Sequence, residues 1–170
     1  MDAADSRLPA SLVLRDLAVV AFAIALWRWS HALHDGGVQG ATAVAIVAGL
    51  LLTVSAYFAH EWGHLGGALA SGSRVHFPRN AAAVFLFRFD VDDNDRRQFL
   101  AMSAGGYLAS LAVVALLLAT LRWSYLADRI ALTLSAIGVL ATFILELPPF
   151  WKVWRGAPLP RGAAFVSTRD

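Results

Sequence analysis

The chain has 170 residues, 58% of them hydrophobic and 15% charged, with a mean hydropathy of +0.60. Soluble domains average about 25% charged and 45–50% apolar residues, so the composition argues against a water-soluble globule. A dispersed net charge of +2 argues against a nucleic-acid surface, and with no Cys there are no disulfides, thiolate metal sites or cysteine nucleophile.

A bilayer core of roughly 30 Å needs about 20 apolar residues in a helix. The first candidate, Leu12 to Leu33, carries Arg15 and Asp16 near its start and Arg28 near its end, between Trp27 and Trp29. An adjacent Arg–Asp pair at the interface and a snorkelling Arg28 make this tolerable. Met1 to Ser6 holds two Asp and no Lys or Arg, so an uncleaved first span is expected rather than a signal peptide. Ala41 to Ala59 gives 19 uncharged residues and runs into His60-Glu61-Trp62-Gly63-His64, predicting a helix over 41–70. Arg74 to Val91 reads as two short strands, with Val75-His76-Phe77 before Pro78 and the aromatic, β-branched run Ala81 to Val91 after it. Asp90 to Arg97 then reads as a solvated connector. Phe99 to Leu121, 23 residues without a charge, is the cleanest span and predicts a helix over 98–121. Ile130 to Leu145 gives 16 more, and Pro148-Pro149 are expected to break a helix over 127–147 just after Glu146. Residues 155–170, with Gly156, Pro158, Pro160 and Gly162, are expected to form a polar, disordered tail.

The expected fold is therefore a single all-α integral membrane domain over 1–154. It has four transmembrane helices and a short cytoplasmic, membrane-associated β-hairpin between the second and third. With four spans, the N-terminus, the second loop and the tail share one side. They hold 11 of the 14 basic residues, leaving Arg28, Arg122 and Arg129 opposite. By the positive-inside rule both termini are cytoplasmic, and the expected location is a cell membrane, the bacterial inner membrane. Only two Glu occur in the chain, Glu61 and Glu146, both in or at the end of apolar runs.

His60-Glu61-Trp62-Gly63-His64 is an H-E-x-x-H motif. Residues four apart share a helix face, so His60 and His64 can point two imidazoles at one ion. Glu61 lies about 100° around the helix, able to reach water beside the metal without ligating it. Zinc acidifies water that it binds, and a carboxylate so placed can take the proton, which is the chemistry of metal-assisted peptide hydrolysis. Ionisable groups inside a membrane helix are costly and mark function. Catalytic zinc usually takes three protein ligands, and Glu146 is the candidate third, because the second and fourth spans exit on the same side of the bilayer. His76 and the Asp90–Asp95 cluster are weaker candidates, and His31 and His34 read as interface residues on the outer side.

The chain resembles the site-2 protease family of intramembrane zinc metalloproteases (peptidase family M50). His60-Glu61-Trp62-Gly63-His64 is similar to that family's H-E-x-G-H, a cytoplasmic membrane-associated hairpin follows, and Ser103 to Ser110 resembles the A-G-P-x-x-N segment of its next core helix. Gly106-x-x-x-Ser110 keeps the spacing, and Gly105-x-x-x-Ala109 is an equal register. The resemblance covers about Ala41 to Trp154. It implies zinc as cofactor, Glu61 as catalytic base, and a membrane protein or transmembrane peptide as substrate in the lipid bilayer. The family's third ligand, an Asp in L-D-G after N-x-x-P, has no counterpart. Ile144 to Phe150 aligns with N-x-x-P and puts Glu146 near the Asn position.

Three readings follow. The first is a zinc metalloprotease cutting within or beside transmembrane segments, with His60, His64 and Glu146 on the metal. The second is a non-catalytic, degenerate relative that binds client helices or a structural metal. The third is another class of membrane H-E-x-x-H protease with a Glu ligand, which fits Glu146 but not the Gly106-x-x-x-Ser110 segment.

Overall fold

Each long apolar run of the sequence is a helix: α1 (Ala10–Asp35), α2 (Ala41–Ala70), α3 (Arg96–Thr120) and α4 (Leu126–Trp154). The computed structural model describes residues 8–78, 80–161 and 166–167. Met1 to Arg7, Arg79, Gly162 and Arg169, which entered the sequence reading, lie outside them. All four helices are long and apolar enough to cross a membrane. Their outward faces carry bare aliphatic side chains, such as Leu108 at 67% and Leu145 at 73% exposure. That is tolerable for a surface facing hydrocarbon and costly for one facing water.

The helix ends follow local chemistry. Asp95 caps α3, accepting from Gln98 N–H at 2.9 Å while Gln98 Oε1 accepts from Asp95 N–H at 2.7 Å. This reciprocal cap starts α3 at Arg96, so Arg96 and Arg97 belong to its first turn rather than to the connector. At the other end of the preceding loop, α2 stops at Ser71, whose hydroxyl donates to the Gly67 and Ala68 carbonyls, and Gly72 turns the chain with φ of 71°.

The expected break at Pro148-Pro149 does not occur, and α4 continues through both prolines to Trp154. Two prolines remove only two N–H donors, and α4 has tertiary reasons to continue. Val153 is buried in a cluster with Leu12, Leu65, Phe89, Phe99 and Met102, and Arg96 donates to the Trp154 carbonyl. Packing overrides a local helix breaker when the far end of the helix is anchored.

α2 is the central helix, packing against α1, α3 and α4. Toward the start of α2 these contacts use small residues, with Ala45 and Ala48 beside Ala127 and with Leu52 packed among Ala23 of α1 and Ala131 of α4. The bulky core instead gathers where the helices meet the loop after α2. There Val75, Phe77, Leu86, Phe87, Phe89 and Val91 pack on α1, α2, α3 and α4.

The hairpin exists as β1 (Val75–His76) and β2 (Arg88–Asp90), antiparallel, with Val75 opposite Phe89 and His76 opposite Arg88. It has a third strand. Val166–Ser167 (β3) pairs in parallel with β2, so the tail read as disordered contributes to the sheet, in the order β1-β2-β3. β2 thus has a neighbour on both sides. Residues 80–87 between β1 and β2 are turns and bends rather than strand. Asp90, read as part of a solvated connector, is wholly buried.

Two charged groups read as interfacial are built into the packing. Asp16 accepts from Arg15 Nε at 2.7 Å and from Trp62 Nε1 of α2 at 2.8 Å. Arg15 reaches further, donating to the Ala81 and Ala83 carbonyls at 2.7 Å each. At the opposite end of the bundle His31 is not a bystander. It stacks on Tyr125 and shares the fully buried Asp128 with Trp27 Nε1, each nitrogen 2.7 Å from Oδ1. The Tyr125 phenol donates to Asp35, which raises its pKa above the ordinary tyrosine value.

Candidate metal centre

The α2 helix puts His60 and His64 one turn apart on the face turned to α3 and α4. Their approach to α3 is possible because of glycines. A Cβ on Gly63 would lie 2.5 Å from the Gly105 carbonyl oxygen, and one on Gly67 would lie 2.9 Å from the Ala101 carbonyl carbon. Both registers noted in the sequence are used, for different ends. Gly105 and Ala109 receive Gly63 at the helix crossing, while Gly106 and Ser110 receive the two imidazoles.

Hydrogen bonds set the orientation of both rings. His64 Nδ1 donates to the Met102 carbonyl at 3.0 Å. His60 Nδ1 lies 3.2 Å from the Gly106 carbonyl and 2.8 Å from Ser110 Oγ. A carbonyl only accepts, so Nδ1 carries the proton on each ring and a neutral imidazole then presents its Nε2 lone pair. The two Nε2 atoms face each other at 3.0 Å. Glu146, from α4, completes the group, with Oε1 3.4 Å from His60 Nε2 and Oε2 3.4 Å from His64 Nε2. Glu146 Oε2 is enclosed and has no hydrogen-bond partner.

With both imidazoles neutral, three electron-pair donors converge, an arrangement that a cation at the centre would satisfy. Ligands about 2.1 Å from a tetrahedral ion stand about 3.4 Å apart, which matches the spacing found. His60, His64 and Glu146 thus form a group able to hold a metal ion. The donor set of two imidazoles and a carboxylate suits zinc, and the Nδ1 contacts are the outer bonds that metal-binding histidines carry.

No family model, curated protein or solved structure matches the chain.

Glu61 stands apart from this group. It is buried, and its Oε2 accepts from Leu86 N–H at 3.3 Å. The 80–87 segment that carries Leu86 is tied down by Arg15 on Ala81 and Ala83 and by Tyr57 OH on the Val84 carbonyl at 3.1 Å. A cavity of about 100 Å³ opens beside His60 between α2, α3 and α4, lined in part by Thr53, Tyr57, Ser110, Ser135 and Thr142. At about 30 Å³ each, it has room for a few waters, and the buried Ser135 hydroxyl, without a protein partner, offers one a bond.

Of the residues singled out from sequence, the structure brings together His60, His64 and Glu146, with Glu61 one residue along and Gly106 and Ser110 behind. His31 and His34 are elsewhere, as expected. His76, Asp90 and Asp93 form a separate group. The contributions of Arg15, Tyr57, Met102 and Leu86 were missed. Arg15 alone had a signal, a charge inside an apolar run; the other three act on or through backbone groups, which no residue type announces.

Proposed function

We propose that the protein is an intramembrane zinc metalloprotease of the site-2 protease kind. Its substrates are peptide bonds within or next to transmembrane segments of membrane proteins. The observation that carries this reading is the convergence of two imidazole Nε2 atoms and the Glu146 carboxylate, 3.0–3.4 Å apart, beside a carboxylate that is not part of the group. The orientation that goes with it, from the basic-residue distribution, puts both termini and the hairpin on the cytoplasmic side of a bacterial inner membrane.

His60, His64 and Glu146 would hold the ion, with one negative charge to offset its two positive ones. Zinc, when bound, supplies a Lewis acid that polarises the scissile carbonyl and lowers the pKa of water. Glu61 is the proton carrier. Its carboxylate takes a proton from the attacking water as the C–O bond forms, then delivers it to the amide nitrogen as the C–N bond breaks. Ser110 and the Gly106 and Met102 carbonyls keep the imidazoles turned inward. Water comes from the cytoplasmic side, and the cavity beside His60 can store it. Leu86 N–H occupies one oxygen of Glu61, so the 80–87 segment must give way as a substrate strand enters.

The decisive experiment uses purified protein in detergent with a transmembrane peptide substrate. Glu61→Gln is expected to keep bound zinc and lose cleavage by a factor of at least about 10². Retained cleavage in that variant refutes the role of Glu61. A second reading, a non-catalytic relative that binds client helices or a structural metal, is favoured by the Leu86 N–H held on Glu61 and by the missing L-D-G. Wild-type protein that binds zinc, cuts no peptide and keeps the Leu86 bond would support it.

A further inference from the structure

We propose that Tyr57 is a further residue of the reaction site, its phenol donating to the carbonyl oxygen of the peptide to be cut, a place that Val84 holds until substrate enters. The proposal rests on the peptidase reading above. Tyr57 lies three residues before His60 and four before Glu61, so the three share one flank of α2. A helical side chain leans back over the preceding turn, which carries the Glu61 carboxylate toward Tyr57. The phenol is accordingly within electrostatic reach of both Glu61 and Glu146. With His60 and Ser110 it also lines the cavity of about 100 Å³ between α2, α3 and α4.

Two contacts show what this pair of side chains can hold. Tyr57 OH donates to the Val84 carbonyl at 3.1 Å, and Glu61 Oε2 accepts from Leu86 N–H at 3.3 Å. Those two backbone groups belong to successive peptide bonds, on either side of Phe85. Tyr57 and Glu61 therefore offer one donor and one acceptor at a spacing that a peptide backbone fits, whatever its side chains. Val84 and Phe85 are exposed, at 68% and 38%, so their side chains add little to the hold, and Leu86 alone of the three is buried. Arg15 supplies the rest, donating from α1 to the Ala81 and Ala83 carbonyls.

During the reaction the phenol keeps its proton. As water adds to the carbonyl carbon, the C=O π pair moves onto the oxygen, and it returns as the C–N bond breaks. A hydrogen bond to that oxygen is strongest while the charge is there, so the phenol lowers the barrier more than it aids binding. In the ground state its loss is felt alike by the bound peptide and by the segment that the peptide displaces, and cancels in the affinity. Arg15 holds only the segment, so its loss does not cancel.

The test compares Tyr57→Phe with Arg15→Gln in full-length protein in detergent, equilibrated with zinc, using one transmembrane peptide. Cleavage gives kcat. Binding is read in the Glu61→Gln background, whose amide oxygen can still accept Leu86 N–H. Tyr57→Phe should lower kcat by about 10²-fold and leave the peptide Kd within about twofold, with zinc content and helical circular dichroism unchanged. Arg15→Gln should keep kcat and tighten Kd by up to about tenfold. If Tyr57→Phe instead tightens Kd as Arg15→Gln does and keeps kcat, Tyr57 is only a clamp; the proposal is wrong and the proposed function stands. An Arg15→Gln protein with unaltered Kd also overturns the proposal, because the segment would not then stand in the peptide's place. If wild type binds the peptide and cuts nothing, yet both Kd responses are as stated, Tyr57 meets the peptide carbonyl and the proposed function falls. A peptide that does not bind at all refutes both.

Discussion

Gly106→Ala is the sharpest probe of the His60–His64–Glu146 group, because the change is one methyl and its consequence can be worked out. A Cβ built on Gly106 would stand 2.5 Å from His64 Nε2 and 2.6 Å from Nδ1. Attractive contact needs about 3.5 Å, so the imidazole or α3 must retreat by about 1 Å. Metal–ligand distances tolerate about 0.2 Å, so a retreat of that size takes His64 off the ion. The Nδ1 bond to Met102, 3.0 Å in the native protein, stretches with it. Overpacking of this kind costs typically 1–3 kcal/mol in stability, against which Ala gains at most about 1 kcal/mol over Gly in helix propensity. Zinc affinity should fall at least about 10–100-fold, the loss seen when only an outer partner of a ligand is removed. The control is Gly66→Ala, three residues from Gly63 on α2, where an added Cβ meets nothing within 4 Å. It should keep zinc and gain slightly in stability. Chelator competition and thermal unfolding of the two variants side by side provide the measurement. Wild-type zinc affinity in Gly106→Ala would mean that the ring does not sit against α3 as described, and the site would have to be redrawn.

Two other substitutions test separate parts of the structure. Ser110→Ala removes the hydroxyl 2.8 Å from His60 Nδ1 and leaves the Gly106 carbonyl at 3.2 Å, so chelator competition should show zinc affinity lower by about tenfold with unfolding unchanged. An unaltered affinity would assign the orientation of His60 to the carbonyl alone. Asp128→Ala strands three donors that converge on one buried carboxylate, namely Trp27 Nε1, His31 Nε2 and Arg122 N–H, the last at 2.6 Å. Denaturant unfolding in mixed micelles should record a loss of about 3–5 kcal/mol, and Asp128→Asn a smaller one. A loss under about 1 kcal/mol for Asp128→Ala would show that solvent reaches those donors.

What could be read in advance divides along a physical line. The four helices were legible because a predominantly apolar run of about 20 residues has one stable form in hydrocarbon. His60, Glu61 and His64 were legible because helical period and ligand chemistry agree in five consecutive positions. Glu146 could be linked to them only through topology, by counting spans and asking which ends share a side. The prolines of α4 misled because a local rule gave way to a distant contact, the burial of Val153 against Leu12 and Phe89. β3 was invisible for a related reason. Its pairing with β2 spans some 75 residues, and a two-residue strand has no periodicity to detect. Arg15 carried a visible charge, but its partners are the Ala81 and Ala83 carbonyls, and carbonyls are the same in every residue.

The two glutamates differ most in what surrounds them, and that difference bears on their roles more than their motif positions do. Glu146 meets two imidazole nitrogens, so with both rings neutral every group at the centre is an electron-pair donor and a cation would satisfy all three. Glu61 instead accepts a backbone N–H from a segment outside the helices. A carboxylate bound to an ion is locked in place and poorly basic; one held by a long backbone hydrogen bond can exchange that donor for a water. Exchanging their surroundings would lose both proposed roles. A ligand at position 61 would sit about 100° off the face shared by His60 and His64, and a base at position 146 would have to ionise among the metal's own ligands. The proposed division of labour therefore rests on helix geometry at one residue and on helix–helix placement at the other.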